Sequence, residues 1–303
     1  MRILVTGANG LVGSAACAAV ARAGHDAIAL VRPGSDRTLL EGIAATIREA
    51  AFPEPGAVRA ALAGIRPDAI IHAAAVPSGG RPDLALALRV TVEGTRTLLA
   101  ESVRAGVPRL VLVSSMSAHP ANRAVYGGTK WMQERLVREG SATAVIAKPS
   151  LVYGPQPRGV FHRMVALLRR LPVVPLVGDG LAPQRPVHVD DLAEALATLA
   201  TREGLGGRTY MLGGAEELPF RDFLARIATL LGRRPLMVPV PLPVCRVIAL
   251  AGELALPSPP LTFDQIEGIA RAVPCDISAA RADFGFAPRS LGDGLRDALA
   301  GLR

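Results

Sequence analysis

Lysine is nearly missing from this chain: 34 of its 303 residues are Lys or Arg, yet only Lys130 and Lys148 are lysines. Aromatic residues make up 4% of the sequence, and apart from the pairs Arg169–Arg170 and Arg233–Arg234 the cations fall singly. A nucleic-acid groove needs clustered cations interleaved with stacking rings, so no nucleic-acid partner is expected. Nucleotide phosphates suffice to explain part of the net charge of +8, and so does a compositional preference for arginine.

Cysteine is scarce as well. Cys17, Cys245 and Cys275 lie far apart, without the paired spacing of a zinc site or a disulfide framework, so a reduced, cytoplasmic setting is expected. Long apolar runs are missing too. The N-terminal stretch reaches glycine within a few residues and reads as a strand, not as a secretion signal. The most hydrophobic later run starts at Leu242 and is broken by Pro243, Arg246 and Glu253. It falls short of the ~20 apolar residues of a membrane span and reads as a buried or interfacial helix.

What is present is an alternation of strands and helices. RILVT, DAIALV, DAIIHAA, RLVLVSS and TAVIAK are strand-like, and two of the helical segments between them end at Gly24 and Gly106. This order predicts an α/β fold: a doubly wound parallel sheet with helices on both faces. Residues 1–175 are expected to form the nucleotide-binding domain, with later strands from about 186–213 returning to its sheet. Residues 176–303 then make a smaller substrate lobe that closes over the carboxyl ends of the strands.

RILVTGANGLVGSAACAAV places a strand, a glycine turn and a helix in the order that a dinucleotide site needs. Gly7 allows the tight turn, Gly10 lets backbone N–H groups approach a pyrophosphate, and Gly13 lets the helix pack on the strand. Asn9, Leu11 and Val12 complete the expected phosphate-binding turn, and Ala73, Ala74 and Ala75 are small enough for close approach of a cofactor. Arg32 ends the second strand where an acidic residue commonly meets the adenosine ribose. A guanidinium there suits a 2'-phosphate, with Ser35 and Arg37 as helpers, so NADP(H) is favoured over NAD(H). The competing reading has Arg32 stacked on adenine and Asp36 on the ribose of NAD.

Tyr126 and Lys130 stand four residues apart, which puts them on one face if YGGTKWMQERLV is helical. Chance would produce that pair in a chain so poor in both residues with a frequency on the order of 0.02. The ammonium and a nearby nicotinamide are expected to lower the phenol pKa towards neutrality, so that Tyr126 exchanges a proton with a substrate oxygen. Ser115, at the end of RLVLVSS, would hold that oxygen; Ser114 competes with it, because alternation along a strand points the two in opposite directions.

TGANGLVG, VSSMS and YGGTK, in that order and spacing, resemble the short-chain dehydrogenase/reductase superfamily. IIHAAA, VTVEGTRTLL, KPSLVYGP and RPVHVDDLAEAL resemble its extended branch, the NAD-dependent epimerase/dehydratase family, so the likeness spans almost the whole chain. The resemblance implies a Ser115, Tyr126 and Lys130 catalytic set, a Rossmann sheet, hydride transfer with a nicotinamide cofactor, and a homodimer through the helices around Thr91 and Tyr126. Thr91 and Thr97 depart from the family's usual asparagines. The segment 50–58 lacks the usual adenine-side Asp, for which Glu49 is a poor substitute. Pro149 and Val152, after the sixth strand, are expected near the nicotinamide.

Expected substrates are nucleotide sugars or other small carbonyl or hydroxyl compounds. Met116 and Ser117 follow Ser115 where dehydratases typically carry an acidic pair, which disfavours dehydration. An epimerase with tightly held NAD is one alternative. A non-catalytic dinucleotide-binding protein is another, since KPSLVYGP, PLVGDG and PPLTFDQIEG also resemble the accessory nucleotide-binding subunit of respiratory complex I. Arg185 is read either as a phosphate or carboxylate contact or as an ordinary exposed arginine. His72 is expected to be a packed strand-end histidine. His188, Asp190 and Asp191 are read as a strand end, a helix cap and an acidic first turn, and no metal is expected.

Overall fold

The computed structural model describes residues 1–303 except 80–82, 123, 158, 257, 258, 260, 271, 272 and 303. Strand β1 (Arg2–Thr6) has Ile3, Leu4 and Val5 wholly buried, because helices cover both of its faces. That explains why RILV is apolar without alternation. The strands after it are β2 (Asp26–Val31), β3 (Ala45–Glu49), β4 (Ala69–His72), β5 (Leu110–Val113), β6 (Val145–Pro149), β7 (Val152–Tyr153), β8 (Val173–Val177), β9 (Pro183–Gln184), β10 (Val187–His188), β11 (Thr209–Leu212), β12 (Leu218–Pro219) and β13 (Leu236–Val240).

Seven of these form one sheet in the order β11-β6-β5-β4-β1-β2-β3, every neighbouring pair parallel. The expected doubly wound sheet is therefore the one observed. Its strand order reverses between β1 and β4, where the chain leaves neighbouring strands in opposite directions and opens a crevice at their carboxyl ends.

Ile3 and Val5 pack with α1 (Leu11–Arg22) and α7 (Val189–Thr201) on one face. Leu4 points the other way, towards α2 (Pro55–Ile65), α4 (Gly94–Arg104) and α5 (Val125–Gly140). Between α2 and α4 lie α3 (Leu84–Ala87) and a π-helical stretch, Leu88–Glu93. A second core belongs to the smaller lobe, where Phe161, Leu168, Phe223, Ile227, Ile266 and Leu295 come together. Its helices are α6 (Gly159–Arg170), α8 (Phe220–Leu230), α9 (Leu242–Ala255), α10 (Phe263–Ala270) and α12 (Leu291–Ala300), while α11 (Ser278–Phe284) packs against β11. Among the described residues no helix is long and apolar enough to cross a membrane.

The turn after β1 is closely packed. A Cβ on Gly13 would lie 2.2 Å from the carbonyl oxygen of Gly7, a backbone atom that cannot swing aside. Gly13→Ala is therefore expected to destabilise the protein by about 1–3 kcal/mol. Urea unfolding followed by circular dichroism checks this, and an unchanged midpoint would show the turn to be slack.

Candidate active site

Gly7 leaves β1 with a φ of 65°, in the left-handed region where glycine carries no steric penalty. A Cβ there would come within 2.8 Å of the Ala74 backbone, so the turns after β1 and β4 touch across the crevice. Gly10 is the N-cap of α1 and supplies no side-chain cap, which leaves the first N–H groups of that helix without a side-chain acceptor. An uncapped helix end beside a glycine turn fits a pyrophosphate.

A single cavity of about 710 Å³ runs along the crevice. Gly7, Asn9, Gly10, Leu11, Val12 and Gly13 line it from one side, together with Arg32. Ala73, Ala74 and Ala75 line it after β4, and Pro149 and Val152 after β6. Ser115, Tyr126 and Lys130 reach the same wall. These residues therefore share one cavity, whereas Ser35, Asp36 and Arg37, also nominated from the sequence, do not line it.

Helix α5 carries Tyr126 and Lys130. Its own N-cap residue, Ala124, has no cap to offer; instead Asp264, in the first turn of α10, accepts the N–H of Tyr126 at 2.9 Å and that of Gly127. The smaller lobe therefore caps the helix of the larger one. The two candidate serines diverge as alternation predicts. Ser114 donates to Glu134 inside the protein, while Ser115 is hydrogen-bonded to the Tyr126 phenol and accepts the N–H of Ser117 at 3.1 Å.

Lys130 by itself does not depress the tyrosine pKa. Burial pushes the Tyr126 phenol up, the Ser115 hydrogen bond pulls it partly back, and the Asp264 carboxylate adds to the rise. Lys130 does not counter this, because its ammonium is turned to the Val113 carbonyl at 2.8 Å and to Gln133 Oε1 at 2.9 Å. Burial in turn pushes Lys130 down to about 7.

His72 is fully buried, bonded to Thr6 at 2.7 Å and to Thr95 at 2.9 Å, and burial holds it down at about 3. It is a neutral, packed strand-end histidine. His188 Nδ1 accepts the N–H of Asp190 and caps α7, with Asp190 and Asp191 in its first turn. His188, Asp190 and Asp297 also converge, and the Arg289 guanidinium supplies a cation beside them, 2.8 Å from Asp191 and 3.8 Å from Asp297.

Arg185 lines the cavity, but each of its nitrogens donates to a backbone carbonyl: Nε to Gly214 at 2.8 Å, Nη1 to Cys275 at 3.1 Å and Nη2 to Ala215 at 3.3 Å. It is a clamp between loops. Glu217, Asp264 and Glu267 also line the cavity. Sequence reasoning missed Asp264, Gln133 and Phe52. A polar residue on the inward face of α5 was a signal for Gln133; nothing local announced the other two.

Residues 3–213 match the profile of the NAD dependent epimerase/dehydratase family. A 2-alkyl-3-oxoalkanoate reductase from Stenotrophomonas maltophilia is 27% identical over 328 aligned residues, covering 98% of this chain and 98% of that protein. The crystal structure of gox2253 superposes with a TM-score of 0.82 at 27% identity, covering 100% of this chain and 98% of the other. MoeE5, solved with UDP-glucuronic acid and NAD, gives 0.76 at 24% identity over 100% of this chain and 99% of its own.

These findings correct the cofactor expectation from NADP(H) to NAD(H). Similar solved structures whose dinucleotide is identified, MoeE5 among them, hold NAD. The geometry around Arg32 gives a physical reason. Arg37 is paired with Glu49, and the Ser35 hydroxyl donates to the Arg32 carbonyl at 2.7 Å, so the two expected helpers for a 2'-phosphate are already engaged. Leu30, Val31, Arg32 and Phe52 also line the cavity.

Two measurements follow from this geometry. Fluorescence titration is expected to show tighter binding of NADH than of NADPH, with Arg32→Ala leaving the NADH affinity within about twofold, since a side chain without a phosphate partner contributes little. Asp264→Ala is expected to cost about 1 kcal/mol through loss of the α5 cap and Asp264→Asn much less, because its amide oxygen still accepts an N–H. Thermal melting of both variants checks the second expectation, and equal losses would show that charge, not capping, matters.

Proposed function

The chain belongs to the NAD dependent epimerase/dehydratase family and is an NAD-dependent oxidoreductase or epimerase acting on a small molecule; on that premise we propose that it reduces a ketone to an alcohol. The observation that carries the reading is that Ser115, Tyr126 and Lys130 line the same cavity as the glycine turn. NAD(H), when bound, supplies or accepts the hydride. Gly7, Gly10 and Gly13, with Asn9, Leu11 and Val12, would hold its pyrophosphate; Arg32 would border the adenosine; Ala73, Ala74, Ala75, Pro149 and Val152 would border the rest. Tyr126 delivers the proton to the substrate oxygen, Ser115 fixes that oxygen, and Lys130 brings positive charge to the pair.

A reductase needs its acid protonated, and burial keeps the proton on the Tyr126 phenol. Substrate preference rests on the cavity lining. With Arg185 clamped to carbonyls and three carboxylates nearby, a neutral ketone is a better match than a nucleoside diphosphate. The reductase from Stenotrophomonas maltophilia, aligned end to end, supports the same choice.

Residues 1–175, joined by β11, are proposed as the nucleotide-binding domain and 176–303 as the substrate lobe. A cytoplasmic setting is proposed on the three buried thiols, and a homodimer through α4 and α5 on the apolar Val103 and Met132 that those helices expose.

The test uses NADH with ethyl 2-methylacetoacetate, followed at the nicotinamide absorbance band, and NAD with UDP-glucose, followed by chromatographic separation of the sugar epimers because epimerisation leaves the nicotinamide unchanged overall. Oxidation of NADH by the keto ester is expected, falling by about 10²- to 10⁴-fold in Tyr126→Phe. Wild-type rates in Tyr126→Phe would remove the proposed acid from the mechanism. Turnover of UDP-glucose alone would redirect the assignment to epimerisation.

A further inference from the structure

We propose that Gln133 is a positioning residue of this site: its side-chain amide holds the Lys130 ammonium in place and ties it to the ends of β1 and β4. The inference rests on the reading of Lys130 as part of the reacting set.

Gln133 is wholly buried, so its amide has to find partners inside the protein. It finds them on both sides. Oε1 accepts from Lys130 Nζ at 2.9 Å, while Nε2 donates to Thr95 Oγ1 at 2.8 Å and faces His72 Nε2 at 3.2 Å. The reverse orientation would set the amide nitrogen against an ammonium, two donors face to face, so the lysine itself decides which end is oxygen. Beyond it, Thr95 Oγ1 donates to the Thr91 carbonyl at 2.6 Å. His72 joins the same network, with Nε2 2.9 Å from Thr95 Oγ1 and Nδ1 2.7 Å from Thr6 Oγ1. That same hydroxyl accepts the N–H of Ala74, in the turn that borders the cavity.

An ammonium has three hydrogens. The Val113 carbonyl takes one at 2.8 Å and Gln133 takes the second, so the head group is fixed by two acceptors on the scaffold and one hydrogen remains for the cavity side. With an aliphatic residue at 133 the ammonium would keep a single scaffold acceptor and would be free to swing about it.

The charge state follows from the same contacts. Burial already brings Lys130 down to about 7, and Glu134 on α5 opposes that fall. Glu134 also serves Ser114 and, at 2.8 Å, Lys148 on β6. The other titratable neighbours are neutral: His72 on β4 and Tyr126 on α5. An acceptor oxygen stabilises the charged form, so removing it lowers the lysine pKa and replacing it with a carboxylate raises it.

The scarcity of lysine makes this measurable without a substrate. With lysine labelled at ¹³Cε, the 303-residue chain should give two lysine signals, from Lys130 and Lys148, which Lys148→Arg assigns. Lys130 is expected to titrate near 7, below that value in Gln133→Leu and above it in Gln133→Glu. Reduction of ethyl 2-methylacetoacetate is measured beside it across pH 6 to 9. Gln133→Leu is expected to lower kcat on the order of 10- to 100-fold with little change in KM. Its alkaline loss of activity should begin at lower pH, and that of Gln133→Glu at higher pH.

A Lys130 titration that does not move in either variant overturns the proposal, as does a rate loss without a shifted pH profile. If Gln133→Leu does not fold, as melting curves will tell, Gln133→Glu carries the test alone. Tyr126→Phe separates this inference from the one beneath it. Full activity in Tyr126→Phe defeats the assignment of the site. Loss of activity there, with wild-type behaviour in both Gln133 variants, defeats only the role of Gln133.

Discussion

The site depends on how closely the turns after β1 and β4 approach each other. Gly7 lies against Ala74 with no room for one further carbon atom, and Gly13 lies against Gly7 in the same way. Only because these three backbones touch does the uncapped start of α1 face the crevice that the strand order opens. Thr6 and His72, the last residues of those strands, are paired in register and hydrogen-bonded to each other. The phosphate turn and the buried polar network behind the lysine are thus two sides of one junction.

Helix α5 is where the two lobes meet at the level of chemistry. Its inward face carries Thr129, Lys130, Gln133 and Glu134, all buried and polar, a face that hydrophobic patterning alone would assign to solvent. Each is satisfied internally: Thr129 by the helix's own carbonyls, Lys130 and Gln133 by each other, Glu134 by Ser114 and Lys148. Burying such a face is tolerable only when it is fully partnered. Asp264 then fixes the start of the helix from the other lobe, so the position of Tyr126 depends on α10 as well as on the sheet.

Local sequence was enough for the sheet and the glycine turn, because both are written in contiguous residues: RILV and RLVLV are apolar throughout because both faces are covered, and Gly7, Gly10 and Gly13 occur within one turn. Tyr126 and Lys130 were legible for the same reason, through helical spacing. Contacts between distant segments were not. Asp264 lies 138 residues from Tyr126, and nothing around it distinguishes it from an ordinary helix-start acid. Arg32 misled in a related way. Its neighbours Ser35 and Arg37 looked available in sequence, and only the fold commits one to a carbonyl and the other to Glu49.

The lysine alone does not supply the expected fall in the tyrosine pKa. Spacing of i and i+4 places two side chains on one face but does not make them partners. Lys130 spends two of its hydrogens on Val113 and Gln133, while Tyr126 turns to Ser115. Burial then drives both groups towards their neutral forms, the phenol up and the ammonium down. A site in this condition stores its proton on the tyrosine. Negative charge forming on that tyrosine as the proton leaves would favour the ammonium form of Lys130, so the lysine is needed most after the proton has moved. A group with that role has to stay close by without being bonded beforehand, and the two scaffold acceptors behind Lys130 meet that requirement.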